Sequence, residues 1–98
     1  MNYIDRIAYR IHEELEPYKI MNADDFPLYR LYALLLLTKG VNVTLEDVHN
    51  AWSVWTITRN PQHPSLKEFC YLTPEVQELD RPYTMAIRKV AEQLGLAR

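Results

Sequence analysis

The first fifteen residues carry an amphipathic pattern. Apolar side chains recur three and four positions apart, which places them on one face of an α-helix: Ile4, Ile7, Ala8, Ile11 and Leu15. Charged residues fill the other faces. The pattern predicts a helix over about Tyr3 to Leu15, followed by a connector, because Pro17 cannot continue it.

A second helix is predicted from Asp24 or Asp25, because either carboxylate can cap free amides and Pro27 is tolerated in a first turn. This segment is apolar on almost every side: Phe26, Leu31, Leu34, Leu35, Leu36 and Leu37. Such a helix lies at the centre of its bundle or in an oligomer interface. Lys39 and Gly40 predict its end.

The third predicted helix starts with a capping box, in which Thr44 is the cap and Asp47 stands where Glu is more usual. It is expected to run from about Leu45 to Thr58. The competing signal is the stretch 55–58, which is rich in strand-forming residues and could fray or extend.

Proline shapes the next part of the chain. Asn60-Pro61 and His63-Pro64 predict a loop, since residues before proline avoid the α conformation, and residues 66–72 are expected to be extended or irregular. Thr73 before Pro74 predicts a helix start. Pro82 then separates a short turn from a last helix that ends at Gly95, with one apolar face: Tyr83, Ile87, Val90, Ala91 and Leu94.

Length and composition fit one compact domain over residues 1–98, all-α, with four to five helices. The net charge of −2 and the absence of a basic run argue against nucleic-acid binding. No secretory signal pattern is visible, and the longest apolar run, Leu31 to Leu37, is far too short for a membrane span. With Cys70 as its single cysteine, the protein is expected in the cytoplasm.

Few residues suggest catalysis or cofactor chemistry. His49 and His63 could meet in space, but two histidines are too few for a metal site, so hydrogen bonding to the backbone is the favoured interpretation. Cys70 lies in an apolar strip and is expected to be a small buried residue rather than a nucleophile. Two glycines cannot build a phosphate-binding loop. We therefore expect no enzyme, no metal and no cofactor.

Trp52 and Trp55 are neighbours on one helix and allow two interpretations. Both could fill the core, the favoured interpretation for Trp52, or one could stack on a planar ligand, which is as well supported for Trp55. The candidate ligand-binding residues are then His49, Trp52, Trp55, Arg59, His63, Tyr71 and Tyr83, and Arg59 or Lys67 would meet a phosphate.

The order of motifs in the second half resembles the RyR domain, the repeat of ryanodine receptors. The elements are His49-x-x-Trp52, His63-Pro64-x-Leu66, an aromatic strip around Phe69, Thr73-Pro74-Glu75, Asp80 and a closing amphipathic helix. The match covers Leu45 to Gly95, so residues 44–98 would be the RyR-like segment and residues 1–43 a helical pair that covers it. The whole chain also resembles short actinobacterial and phage proteins.

The resemblance implies a mostly helical binding module, and RyR domains have been associated with purine nucleotides. The chain departs from the pattern at residues 53–62, where the family has a longer insertion with a Gly-Trp-x-Tyr-Gly-like segment. The expected function is a non-enzymatic module for a nucleotide or nucleotide-derived ligand. The alternative is a small protein-interaction protein, adaptor or phage-encoded.

A homodimer is also expected, because one small domain seldom covers every face of an apolar helix. Its expected interface contains residues of the first two helices: Tyr3, Ile7, Tyr29, Tyr32 and Leu36.

Overall fold

The computed structural model describes residues 1–96, and in them the chain is helical, without a strand. Five α-helices follow one another: α1 Tyr3–Leu15, α2 Phe26–Lys39, α3 Leu45–Arg59, the single turn α4 Pro74–Gln77, and α5 Arg81–Gln93. Short 3-10 turns occupy Ala23–Asp25, Gly40–Asn42, Phe69–Tyr71 and Glu78–Asp80. The predicted all-α domain of four to five helices is confirmed.

Helix α2 is the central element and packs against α1, α3 and α5. The side chains that it buries are Leu28, Tyr29, Tyr32, Ala33 and Leu36, whereas Leu34 faces outward and is 52% exposed. Of the two positions that its composition allows, the centre of the bundle is the one observed.

The predicted homodimer interface is wrong for most of its residues. Tyr29, Tyr32 and Leu36 are buried inside the chain itself, and Ile7 of α1 is buried as well. They are covered because α1, α3 and α5 already surround α2. Tyr3 alone among the five is exposed, so the three residues of α2 cannot contact a second copy.

The helix starts follow local sequence signals with one exception. Thr44 Oγ1 accepts a hydrogen bond from the Asp47 amide at 3.1 Å, and Asp47 Oδ2 accepts one from the Thr44 amide at 2.9 Å, so the capping box is confirmed. At α2 the predicted aspartate cap is wrong. Asn22 Oδ1 accepts from the Asp24 amide instead, and a 3-10 turn leads into the helix, while the Asp25 side chain makes no capping bond.

Residues 60–72, here called the histidine–proline segment, follow α3 and contain no regular helix except for one 3-10 turn. In that turn Phe69 and Leu72 are three positions apart and face inward, because a 3-10 helix has three residues per turn. Cys70 lies on the opposite side and is exposed, so its expected burial is wrong.

The helices are also short. The longest described helix, α3, has 15 residues, and among residues 1–96 no helix has the length and apolar character needed to cross a bilayer.

Candidate functional site

A cavity of about 520 Å³ opens between α2, α3, α4 and the start of α5. Its walls are aromatic and acidic, and the lining residues are Glu16, Asp25, Leu28, Tyr29, Tyr32, His49, Trp52, Trp55, His63, Ser65, Val76, Leu79, Asp80 and Tyr83. They come from most of the chain, so the cavity exists only in the folded domain. We call it the aromatic cavity.

Helix α3 supplies one wall through His49, Trp52 and Trp55, which are three positions apart and therefore share a side of the helix. The His49 ring stacks on Trp52 with centroids 5.7 Å apart and an angle of 25° between the planes. His49 Nε2 donates to the Lys67 carbonyl at 2.7 Å. Because a carbonyl only accepts, Nε2 of His49 carries a proton.

His63 also contacts Trp52. Its ring meets Trp52 nearly at a right angle, with centroids 4.8 Å apart, and its Nδ1 accepts from the Ser65 amide at 3.1 Å. His63 thus packs against α3. Trp52 therefore contacts two histidines, and His63 and Ser65 of the histidine–proline segment form part of the cavity wall.

Trp55 is held from outside the cavity. Its Nε1 donates to the Asp24 carbonyl at 3.0 Å, and the Arg59 guanidinium carbon lies 4.5 Å from the centre of its ring. Arg59 Nη2 is also 3.8 Å from an Asp24 carboxylate oxygen. Arg59 is thus engaged on the outer surface and does not line the cavity.

Three tyrosines form the opposite wall. Tyr29 and Tyr32 are one turn apart on α2, with ring centroids 5.3 Å apart, and Tyr83 of α5 lies 5.8 Å from Tyr32. Burial, then nearby Tyr83 and Tyr29, then Asp80 and Asp25, raise the pKa of Tyr32 well above its usual value. Burial chiefly raises the pKa of Tyr29 as well, so both side chains are neutral phenols at physiological pH.

Two carboxylates at the cavity have no partner among residues 1–96. Asp25 stands before α2 without a capping bond, and no side chain of the described chain pairs with Asp80. Burial raises the pKa of Asp80, which the nearby His49 lowers only in part. Glu16 differs, since His12 and Lys19 lie 3.3 and 3.9 Å from its oxygens. Neither lysine nor arginine is among the lining residues.

Asp80→Asn is expected to raise the melting temperature at pH 7, because the ionised carboxylate disfavours the folded state. The pKa of Asp80 is raised in the folded state, so the full free-energy cost of ionising Asp80 is present at pH values above that pKa. As the pH falls towards 3.8, the pKa of Asp80 in the unfolded chain, Asp80 becomes protonated in the folded protein. The stability gained through Asp80→Asn should then vanish. The groups that face Asp80 across the cavity, His49, His63 and Asp25, are unchanged in the variant.

Thermal unfolding from pH 4 to pH 7 measures this difference between Asp80→Asn and the wild type. The matched control is Glu75→Gln, which neutralises an exposed carboxylate on α4 that does not line the cavity. An Asp80→Asn protein no more stable than the wild type at pH 7 would contradict the expected cost of this carboxylate.

The structure places five of the seven expected site residues around one cavity: His49, Trp52, Trp55, His63 and Tyr83. Arg59 lies outside it, and Tyr71 is 69% exposed on the far side of the 3-10 turn from Phe69. The most informative residues not expected from the sequence are Tyr29, Tyr32, Asp25 and Asp80. The sequence did contain a signal for the two tyrosines, because two hydroxyl groups one turn apart on an otherwise apolar helix indicate a polar space beside it.

Metal ligands are not assembled here. In the part of the chain that the structure describes, no three His, Cys, Asp or Glu side chains are placed to share a metal ion. His49 already donates to Lys67 and His63 accepts from Ser65, so each ring has a structural partner.

Comparison with known proteins corrects the expected family. Neither a curated protein nor a solved structure matches the chain. One family model matches residues 2–92, and it is not the RyR domain, so that resemblance is wrong. The match also spans both halves of the chain without a break. His49 and His63 of the supposed motif both pack on Trp52 in this fold. The chain belongs to the family described as a domain of unknown function (DUF7701).

Proposed function

We propose that this protein is a non-enzymatic binding module that holds a small organic molecule in the aromatic cavity. The observation that carries the proposal is the convergence of three tyrosines and two tryptophans on a concave space of about 520 Å³. Ligand sites commonly have this size and combine apolar walls with a few polar groups. The exposed, unpaired thiol of Cys70 favours a reducing compartment such as the cytoplasm.

A nucleotide-type ligand is supported in one respect and opposed in another. Trp52 and the tyrosines offer rings on which a base could stack. A phosphate group finds no cation, since Arg59 is engaged with Trp55 and Asp24, and neither Arg59 nor Lys67 lines the cavity. The uncharged base or nucleoside portion of such a ligand fits better than its phosphates.

A binding role rather than a catalytic one is supported by the hydrogen bonds of the two histidines. A nucleophile needs a neighbouring base, and His49 Nε2, the atom nearest to Ser53, directs its proton to the Lys67 carbonyl. The bond that Ser65 makes with His63 involves its backbone amide and not its hydroxyl.

Intrinsic fluorescence tests the proposal, because the chain has two tryptophans and both line the cavity. We expect a saturable change in emission and a rise in melting temperature when a binding compound from a diverse panel of small molecules is added. Val76→Phe, which fills the cavity, should weaken that binding about tenfold or more, equivalent to ~1.4 kcal/mol.

The matched control is Val54→Phe, the same change at an exposed position of α3 that does not line the cavity. If Val54→Phe weakened binding as much as Val76→Phe, the ligand would lie elsewhere. If no compound changed the emission or the stability, small-molecule binding would be rejected.

The second candidate function, a protein-interaction role that includes self-association, has support in another surface. A more open groove of about 700 Å³ runs along α1 and the end of α5, and its lining is mainly apolar: Met1, Tyr3, Arg6, Ile7, Tyr9, Arg10, Glu13, Leu94 and Leu96. Tyr3 is 60% exposed there, and solvent-exposed apolar patches often mark partner surfaces. A negative small-molecule screen would favour this candidate.

A further inference from the structure

We infer that the ligand of the aromatic cavity is an organic cation, of the alkylammonium or quaternary ammonium class. This inference rests on the proposed function, since it assigns a charge to the small molecule that the cavity would hold. Three observations on the lining residues carry it: their negative charge, their aromatic rings and the unpartnered hydroxyl of Tyr32.

The charge of the cavity is negative. Asp25 and Asp80 approach it from two elements that are distant in sequence, and both raise the pKa of the same buried phenol, that of Tyr32. Neither carboxylate has a hydrogen-bonding or ionic partner in the described chain, unlike Glu16, whose oxygens lie 3.3 Å from His12 and 3.9 Å from Lys19. A cation in the cavity would therefore gain attraction from both aspartates without displacing an existing ion pair.

The rings suit the same class of ligand. The face of an aromatic ring is electron-rich and attracts a cation within about 6 Å of its centre. Tyr29, Tyr32 and Tyr83 supply one wall and the tryptophans of α3 the other, so several rings surround one space. Arg59 on the outer face of Trp55 shows that a ring of this cavity already holds a cation, with 4.5 Å between guanidinium carbon and ring centre.

The third observation is the hydroxyl of Tyr32. This side chain is 2% exposed, and no residue in the range 1–96 hydrogen-bonds its oxygen. Buried polar atoms are nearly always satisfied. Among the described buried side chains only Thr56 has a fully enclosed polar atom without a partner, so the Tyr32 oxygen must reach the cavity space. There it can accept from the N–H of an ammonium ion or from a polarised C–H beside a quaternary nitrogen.

Matched pairs of compounds test the sign of the charge at constant shape. Choline is paired with 3,3-dimethylbutan-1-ol, and phenyltrimethylammonium with tert-butylbenzene; in each pair a carbon replaces the charged nitrogen. AMP serves as the anionic nucleotide probe. Titrations followed by tryptophan emission and by calorimetry should give at least about tenfold tighter binding for the better cation than for its neutral partner, with AMP weakest.

Substitution of the two aspartates tests whether the preference for cations arises in the aromatic cavity. Asp80→Asn and Asp25→Asn keep the shape of the side chain and remove its charge, and each should weaken cation binding about tenfold while leaving the neutral compounds unchanged. Glu75→Gln on α4 is the control and should leave all affinities unchanged, since Glu75 is exposed and outside the cavity. Circular dichroism and melting curves establish that each variant is folded.

The outcomes separate the two proposals. The inference of a cationic ligand would be overturned if the neutral compounds or AMP bound as tightly as the cations. It would also be overturned if both aspartate variants left cation binding unchanged. Either result would leave the proposal of small-molecule binding intact. If none of the five probes bound, the cation would be overturned, and the wider compound panel would then decide the proposed function alone.

Discussion

Leu36→Ala is expected to lower the free energy of unfolding by about 2–5 kcal/mol. This loss is a large part of the total stability of a small domain. Leu36 is fully buried on α2, the helix that packs against α1, α3 and α5. Its removal leaves a void that rigid neighbouring helices can only partly close. Urea unfolding followed by far-ultraviolet circular dichroism gives the difference.

The matched control is Leu34→Ala, the same truncation on the same helix at a position that is 52% exposed. It should cost less than about 1 kcal/mol, because little apolar surface is withdrawn from water there. Equal losses for both variants would mean that Leu34 is also covered, as in a dimer, and would contradict the central position of α2 inside one chain.

His49→Leu is expected to cost about 1–3 kcal/mol of stability, although leucine restores most of the buried volume. The cost arises because the Lys67 carbonyl loses its donor, and the histidine–proline segment loses an attachment to α3. Chemical denaturation measures the loss. Limited proteolysis should also cut within residues 60–72 more readily, which would localise the effect.

Ser53→Ala serves as the control, because the Ser53 hydroxyl makes only a long contact of 3.5 Å with the same His49 nitrogen. It should be close to neutral. A His49→Leu protein as stable and as protease-resistant as the wild type would show that the bond to Lys67 does not hold the segment in place.

Local signals made most helices predictable. The apolar stripe of α1, the Thr44 capping box and the Thr73-Pro74 start each act within a few residues, so their outcome depends little on the rest of the fold. Asn22 was missed as the cap before α2 because Asp24 and Asp25 carry the same chemistry nearby. Choosing among neighbouring candidates requires the path of the chain, which the sequence does not display.

The aromatic cavity was predictable only in part. Trp52 and His63 could be assigned to one neighbourhood from their places on a helix and in the following loop. Tyr32 and Asp80 lie far apart in sequence and meet because α5 returns beside α2, a tertiary contact without a local signature. Arg59 was assigned to a ligand because it follows Trp55 by one turn, yet that spacing also allows it to cover the ring from outside.

The histidine–proline segment also affects how the cavity can be reached. Its backbone makes isolated turn bonds instead of a continuous helical series, so its order depends on three attachments: the bond from His49 to Lys67, the contact of His63 with Trp52, and the bonds from Gln77 to Phe69 and Leu72. Detaching it exposes little of the core around α2. We therefore expect local opening of this wall to cost less free energy than global unfolding and to leave the helical bundle folded.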